Sequence, residues 1–274
     1  AAGKGTRYLP EYHTLTPDTV WEVLQQYLSI NDPDSINLKM FNSFLDGSKS
    51  AIEMTAVCNA TGLKPQPEGL RFPPASRFEL AEVCKPATDG GTLAHSGTTE
   101  VVSSLTRDGK TIPHHLALGT FVVIRADNDY ARRCFAEYHM LPDTSCRYAA
   151  LYRPTHMIGL ELGVSVASVV LRGEATGWPQ AFAADVAATA KRALKAGEYL
   201  DGEGGSCVFG RQLPAAESLT ANALPLGLAG SVRVVRDVAA NTVLRWGDVA
   251  VDDNDEAVRA RHAMVRSYYP DSTG

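Results

Sequence analysis

A chain of 274 residues is long enough for one large domain or two of medium size. Its 45% hydrophobic and 21% charged residues are those of a folded globular protein, and a formal net charge of -5 gives no basic footprint for nucleic acid. The longest near-apolar run, 157–171, falls short of a bilayer span and carries Glu161, so no membrane partner is expected.

The chain opens on Ala1-Ala2-Gly3-Lys4-Gly5-Thr6, with no initiator Met and no strand before it, and reads as the interior of a longer protein. Lys4 lies between two glycines; it is either a surface lysine near a frayed end or an ammonium brought close to a ligand by small neighbours. A loop to Pro17 and a short helix from Thr16-Pro17-Asp18 to about Tyr27 follow, then a polar linker over 31–35. Residues 38–44 alternate enough to predict a strand, which sets Lys39 and Ser43 on one face. Asp46-Gly47-Ser48 is a turn and cap signal for a helix over Lys49–Ala60, ending at Gly62. Asp46, Lys49 and Glu53 then share one side of the turn and helix, as groups that bind an anionic substrate, hold a divalent cation or transfer protons, or as a solvated face.

Residues 63–95 are Pro- and Gly-rich and irregular. Strands over 100–107 and 116–126 are predicted to form a hairpin through Asp108-Gly109, followed by a helix over 129–138. His114-His115 reads as surface loop. Tyr152-Arg153-Pro154-Thr155-His156 opens a predicted helix over 155–171 that is apolar almost all round and so expected to be buried. Its N-terminus with Arg153 and His156 would suit an anion, and Glu161 inside it must be paired, protonated or metal-bound.

After about Gly177 the pattern turns to short strands and tight turns. Arg192-Ala193-Leu194-Lys195-Ala196-Gly197-Glu198-Tyr199-Leu200 is echoed by Arg236-Asp237-Val238-Ala239-Ala240-Asn241-Thr242-Val243-Leu244, with Asn241 where Gly197 stands. Gly202-Glu203-Gly204-Gly205 lacks a Walker lysine and a following helix, so it reads as a β-turn. The five cysteines (Cys58, Cys84, Cys134, Cys146, Cys207) form no C-x-x-C pair, which argues against disulfides and structural zinc and for a reducing cytoplasm.

The repeat resembles the SAF, or β-clip, domain. Ala2-Gly3-Lys4-Gly5 resembles the A-N-K-G that closes the nucleotide-binding domain of homoserine dehydrogenases, and 41–49 is similar to their F-N-G-T-x-N-Y turn, with Asp and Lys inserted. With Gly3–His13, Phe44–Met54, Tyr152–His156 and Leu200–Gly205, nearly the whole chain resembles the homoserine-dehydrogenase-like DXP reductoisomerase-like (DRL) group with a C-terminal SAF domain.

That resemblance implies an α+β fold. The end of a Rossmann domain and a linker would occupy 1–30; a substrate and oligomerisation domain with a mixed or antiparallel sheet, 31–176; and a SAF-like β domain with a C-terminal helix, 177–274. The activity implied is that of an NAD(P)H-dependent oxidoreductase, some members converting 1-deoxy-D-xylulose 5-phosphate to 2-C-methyl-D-erythritol 4-phosphate with a divalent cation, Mg or Mn, in isoprenoid biosynthesis. Lys4, Lys49 and Asp46 are then the catalytic candidates; Lys39, Ser43, Arg153 and His156 bind the anionic or phosphorylated substrate; Gly3, Lys4 and Gly5 face the cofactor; Glu53 and Glu161 are metal ligands. A homo-oligomer is expected. No G-x-G-x-x-G occurs, so these residues alone are expected to be inactive. The alternatives are a homoserine-dehydrogenase-like enzyme of another substrate, a sugar-acid lyase or dehydratase, and a non-catalytic SAF binding module.

Overall fold

The computed structural model describes residues 1–138 and 140–270. In chain order it contains β1 (Ala2–Thr6), α1 (Val20–Leu24), α2 (Leu38–Leu45), α3 (Ser48–Thr61), α4 (Leu80–Val83), β2 (Thr99–Ser103), β3 (Thr120–Arg125) and α5 (Asp129–Glu137). There follow β4 (Leu141–Pro142), β5 (Tyr148–Arg153), α6 (Leu162–Arg172), β6 (Ala184–Ala190), β7 (Tyr199–Asp201), β8 (Val208–Pro214), α7 (Ala215–Thr220), β9 (Gly230–Val234), β10 (Val249–Ala250) and α8 (Glu256–Tyr268). The fold is α+β with mixed and antiparallel sheets. Ala1–Leu9 joins Ala56–Gln180 in one compact unit, while Pro10–Thr55 joins the chain from Ala181 onward in a second.

The first unit is built on a five-stranded sheet of order β2-β1-β3-β5-β4. The expected β2–β3 hairpin does not form: β1 lies between them, parallel to β2 and antiparallel to β3. The Asp108-Gly109 turn exists, with Gly109 at φ +83°, but it closes only a local Leu105–Thr111 bridge. Strand β1 fits between β2 and β3 because Gly3 and Gly5 let neighbouring chain come very close. A Cβ on Gly3 would stand 1.9 Å from the Glu100 carbonyl oxygen, and one on Gly5 1.9 Å from that of Leu116. Phe121, Val123, Tyr148 and Ala150 project from one face into a core with Leu80, Cys84 and Leu93. On the other face α5, capped by the Asn128 side chain, packs Phe135 against Ala126 and Ala149.

The apolar segment after β5 also departs from expectation. The helix starts at Leu162 rather than 155, and it is exposed rather than buried, with Ser168 its sole buried residue. Apolar periodicity says that a helix avoids water; it does not say which chain covers it.

In the second unit, Leu38–Leu45 is a helix, not a strand, because the Asn37 side chain accepts from Met40 N and nucleates a turn. Lys39 and Ser43 still share a face, now as an i, i+4 pair. The first predicted helix shortens to α1, with Thr19 rather than Thr16 at its N-cap. The SAF-like repeat is visible bond by bond. Leu194 and Val238, equivalent positions, exchange their N–H···O bonds at 2.8 and 3.0 Å. Gly197 N donates to Val234 O and Asn241 N to Ala190 O, both at 2.8 Å. Both turn residues have positive φ, +98° and +59°. The two copies are thus related by a local pseudo-two-fold about the Leu194–Val238 pair, over a core of Ala188, Leu200, Leu224, Val234 and Leu244.

Candidate functional site

In the first unit the register of three strands makes a row of chemistry. Lys4 pairs with Thr120, and Thr120 pairs with Arg153, both in antiparallel ladders. Directly opposed residues of antiparallel strands point to the same face, so Lys4, Thr120 and Arg153 stand side by side. Two strand spacings separate the cations, about 10 Å between backbones. Lys4 is only 6% exposed, on an inner strand of the sheet, and it has an interaction partner. The frayed surface lysine is excluded.

Arg153 ends β5 and is exposed, ion-paired with Glu161. Just beyond it His156 is held by Leu118, whose carbonyl oxygen contacts Nδ1 at 2.6 Å and accepts from the His156 backbone N at 3.0 Å. No helix starts at 152–156, so the anion site expected from a helix N-terminus there does not exist. Glu161 is not buried within a helix: it precedes α6, and its carboxylate also accepts from Met157 N at 3.0 Å.

In the second unit Asp46 lies at the end of α2 with its side chain fully buried. Its Oδ1 accepts from Ser48 N at 2.8 Å, starting α3, and its Oδ2 lies 2.8 Å from Lys191 Nζ. Lys191 also donates to the carbonyls of Leu15 (2.6 Å) and Gly205 (2.7 Å). Asn42 donates to Gly204 O at 2.8 Å and Leu15 O at 2.9 Å. Gly204, at φ +69°, is required here because a Cβ would stand 2.1 Å from Lys39 O. Burial pushes the Asp46 carboxyl up from its ordinary range, against the pull of Lys191. A carboxylate so enclosed does not reach substrate, and the expected catalytic role of Asp46 gives way to one of holding the α2–α3 turn. Lys39 donates to Asp201 O, and Ser43 Oγ donates to Met40 O at 2.9 Å within its own helix. Lys49 and Glu53 are half-buried on α3.

A family model for the catalytic domain of oxidoreductase DRL matches residues 1–162, more than half of the chain, and a SAF-domain model matches 185–250. The chain belongs to the oxidoreductase DRL family. Among curated proteins, none matches it significantly. The DRL catalytic region thus contains Lys4, Lys49, Arg153 and His156, while Lys191 is contributed by the SAF region.

Gly3 and Gly5 admit the neighbouring backbone, so of that trio only Lys4 offers a side chain to a ligand. Among the described residues no group of three or more His, Cys, Asp or Glu could hold a metal ion. Glu161 is committed to Arg153 and Met157. The described residues do not assemble a cation site.

Sequence reasoning missed Lys191 and Glu100. The signal for Lys191 was the repeat itself, since the equivalent position in the second copy is the apolar Val235. Glu100 is buried in β2, where its carboxylate accepts from Gln66 Nε2 (2.7 Å), Arg71 N (3.0 Å), Phe72 N (3.3 Å) and Val101 N (2.8 Å). Phe72 sits at φ +50°, which turns successive N–H groups toward it. Burial outweighs these bonds and pushes Glu100 up to about 6 from 4.5. The folded state therefore holds this proton more tightly than the unfolded chain, and stability falls as pH rises from about 4.5 to about 6, by about 2 kcal/mol. Urea unfolding at pH 4.5 and 7 should show that this slope is reduced in Glu100→Gln; an unchanged slope contradicts the assignment.

Proposed function

We propose that the chain forms the substrate side of an NAD(P)H-dependent oxidoreductase acting on a small anionic carbonyl compound, with 1-deoxy-D-xylulose 5-phosphate as the specific candidate. The observation that supports this reading is the Lys4–Thr120–Arg153 row. A nicotinamide, when bound, supplies the hydride. Lys4, buried and cationic, would stabilise negative charge developing on the substrate oxygen, where exclusion of water strengthens the interaction. Arg153, about 10 Å along the row, would take the phosphate or carboxylate through its planar fork, with His156 beside it. Its bond to Glu161 does not prevent this. An exposed ion pair is worth about 0–1 kcal/mol, less than a charge-assisted bidentate contact at about 1.5–3 kcal/mol.

The experiment is nicotinamide oxidation by the full-length protein with the phosphoketose, its unphosphorylated analogue, aspartate semialdehyde and a sugar acid. The reading predicts turnover of NADPH or NADH with the phosphoketose. Turnover of the semialdehyde alone would favour a homoserine-dehydrogenase-like exchange. Dehydration of the sugar acid without any nicotinamide would overturn the proposal.

A further inference from the structure

A groove of about 800 Å³ lies within the second unit, where α8, outside the region the SAF model matches, meets α7 and β10. Small-molecule sites occupy about 300–1,000 Å³, so the space suits a ligand rather than a trapped water.

One side of α8 is fixed without the groove. Asp255 Oδ1 accepts from Ala257 N at 2.8 Å and starts the helix. Arg261 forks onto Asp185 at 3.1 and 2.5 Å and lies over the Phe182 ring, and Asp185 also accepts from the Ser218 hydroxyl at 2.6 Å. Further along, Tyr269 OH donates to Phe182 O at 3.1 Å. These contacts account for where α8 sits, and Asp185 neutralises Arg261.

The groove side holds groups that this anchoring does not use. His262 and Arg266, one helical turn apart, both line it. The His262 ring stacks on Trp246, with 4.8 Å between centroids and 29° between planes. Trp246 is placed in turn by its backbone N, which donates at 3.0 Å to the carbonyl of Asn222, a residue at φ +52°. Val249 and Val265 add apolar lining. Among the described residues, neither the Arg266 guanidinium nor the carboxylate of Asp253, which also lines the groove, has an ion-pair or hydrogen-bond partner.

We infer that this groove is a binding site for a nucleoside monophosphate. A wall of stacked indole and imidazole suits a planar base, because flat rings pack on aromatic side chains whatever their identity. The phosphate goes to Arg266, whose planar fork matches phosphate geometry and is unoccupied. Asp253 accepts from a base amino group or a ribose hydroxyl. Charge sets the number of phosphates. With Arg261 held by Asp185, the groove has one uncommitted guanidinium and one opposing carboxylate, which leaves a second or third phosphate unanswered. An aliphatic acid would match Arg266 but leave the ring wall and Asp253 without partners.

The test is a binding measurement on the full chain and does not depend on the proposed activity. Adenosine and guanosine monophosphates, adenosine, ribose 5-phosphate and inorganic phosphate are titrated by calorimetry at fixed ionic strength, with circular dichroism as the folding control for each variant. Both nucleotides are expected to bind with Kd below about 1 mM, and adenosine and ribose 5-phosphate at least about tenfold more weakly. Arg266→Ala should weaken the nucleotides by roughly 10–100-fold, as loss of one charge-assisted fork requires, and adenosine little. His262→Ala should weaken nucleotides and adenosine together. Arg233→Ala removes the same charge at the position paired with Ala250, on the other side of β10 from Val249, and should change nothing. Absence of nucleotide binding below about 1 mM overturns the inference, and so does nucleotide affinity unchanged in Arg266→Ala. Inorganic phosphate or ribose 5-phosphate binding as tightly as the nucleotides also overturns it, showing an adventitious ion only.

Discussion

Replacing Lys191 by methionine is expected to cost about 3–5 kcal/mol, because it strands the buried Asp46 carboxylate without its counter-charge. Against a typical total of about 5–15 kcal/mol, that is enough to leave much of the second unit unfolded near physiological temperature. The loss exceeds that of a surface pair because the side chains are 0% and 2% exposed, and because the carbonyls of Leu15 and Gly205 lose their donor in the same step. Asp46→Asn should cost less, since an amide oxygen can still accept from Ser48 N. The double variant should be more stable than the sum of the single losses requires, having no charge left to bury. Urea unfolding of the four proteins measures the coupling. A Lys191→Met loss below about 1 kcal/mol would show that the pair does not hold the turn.

The second large effect is on turnover. Lys4→Met in the full-length protein is expected to lower kcat by about 10²–10⁴-fold while leaving KM for the anionic substrate nearly unchanged, the pattern of an interaction made in the transition state. Methionine matches the aliphatic stem, and circular dichroism checks that β1 keeps its place. Lys4→Arg should not restore the rate, because a planar guanidinium does not replace a compact ammonium in a closed site. A kcat within about threefold of wild type would remove Lys4 from the chemistry.

Much of the second unit was legible in the sequence, for a physical reason. The SAF repeat is written in turn residues, and Gly197 and Asn241 adopt the left-handed backbone that few residues tolerate. The family motifs around Lys4 and Asp46 were equally plain. The sheet of the first unit was not. Asp108-Gly109 signals a tight turn locally, yet the order β2-β1-β3 follows from Gly3 and Gly5 letting a distant strand in, which no window around the turn contains. Burial of α6 was misjudged because a helix apolar on most sides is the same sequence whether its own chain or another covers it. Asp46 looked catalytic beside Lys49; only the return of the chain at Leu15, Lys191 and Gly205 shows that its charge is already answered.

The central claim is that the Lys4–Thr120–Arg153 row receives an anionic carbonyl substrate with Arg153 at its charged end. The direct measurement is KM of wild type and Arg153→Ala, in the full-length protein, for the phosphoketose and its unphosphorylated analogue. The account predicts a rise of roughly 10–100-fold for the phosphorylated substrate, as befits one lost charge-assisted contact, and little change for the analogue. Equal KM values for both proteins with both substrates would contradict it.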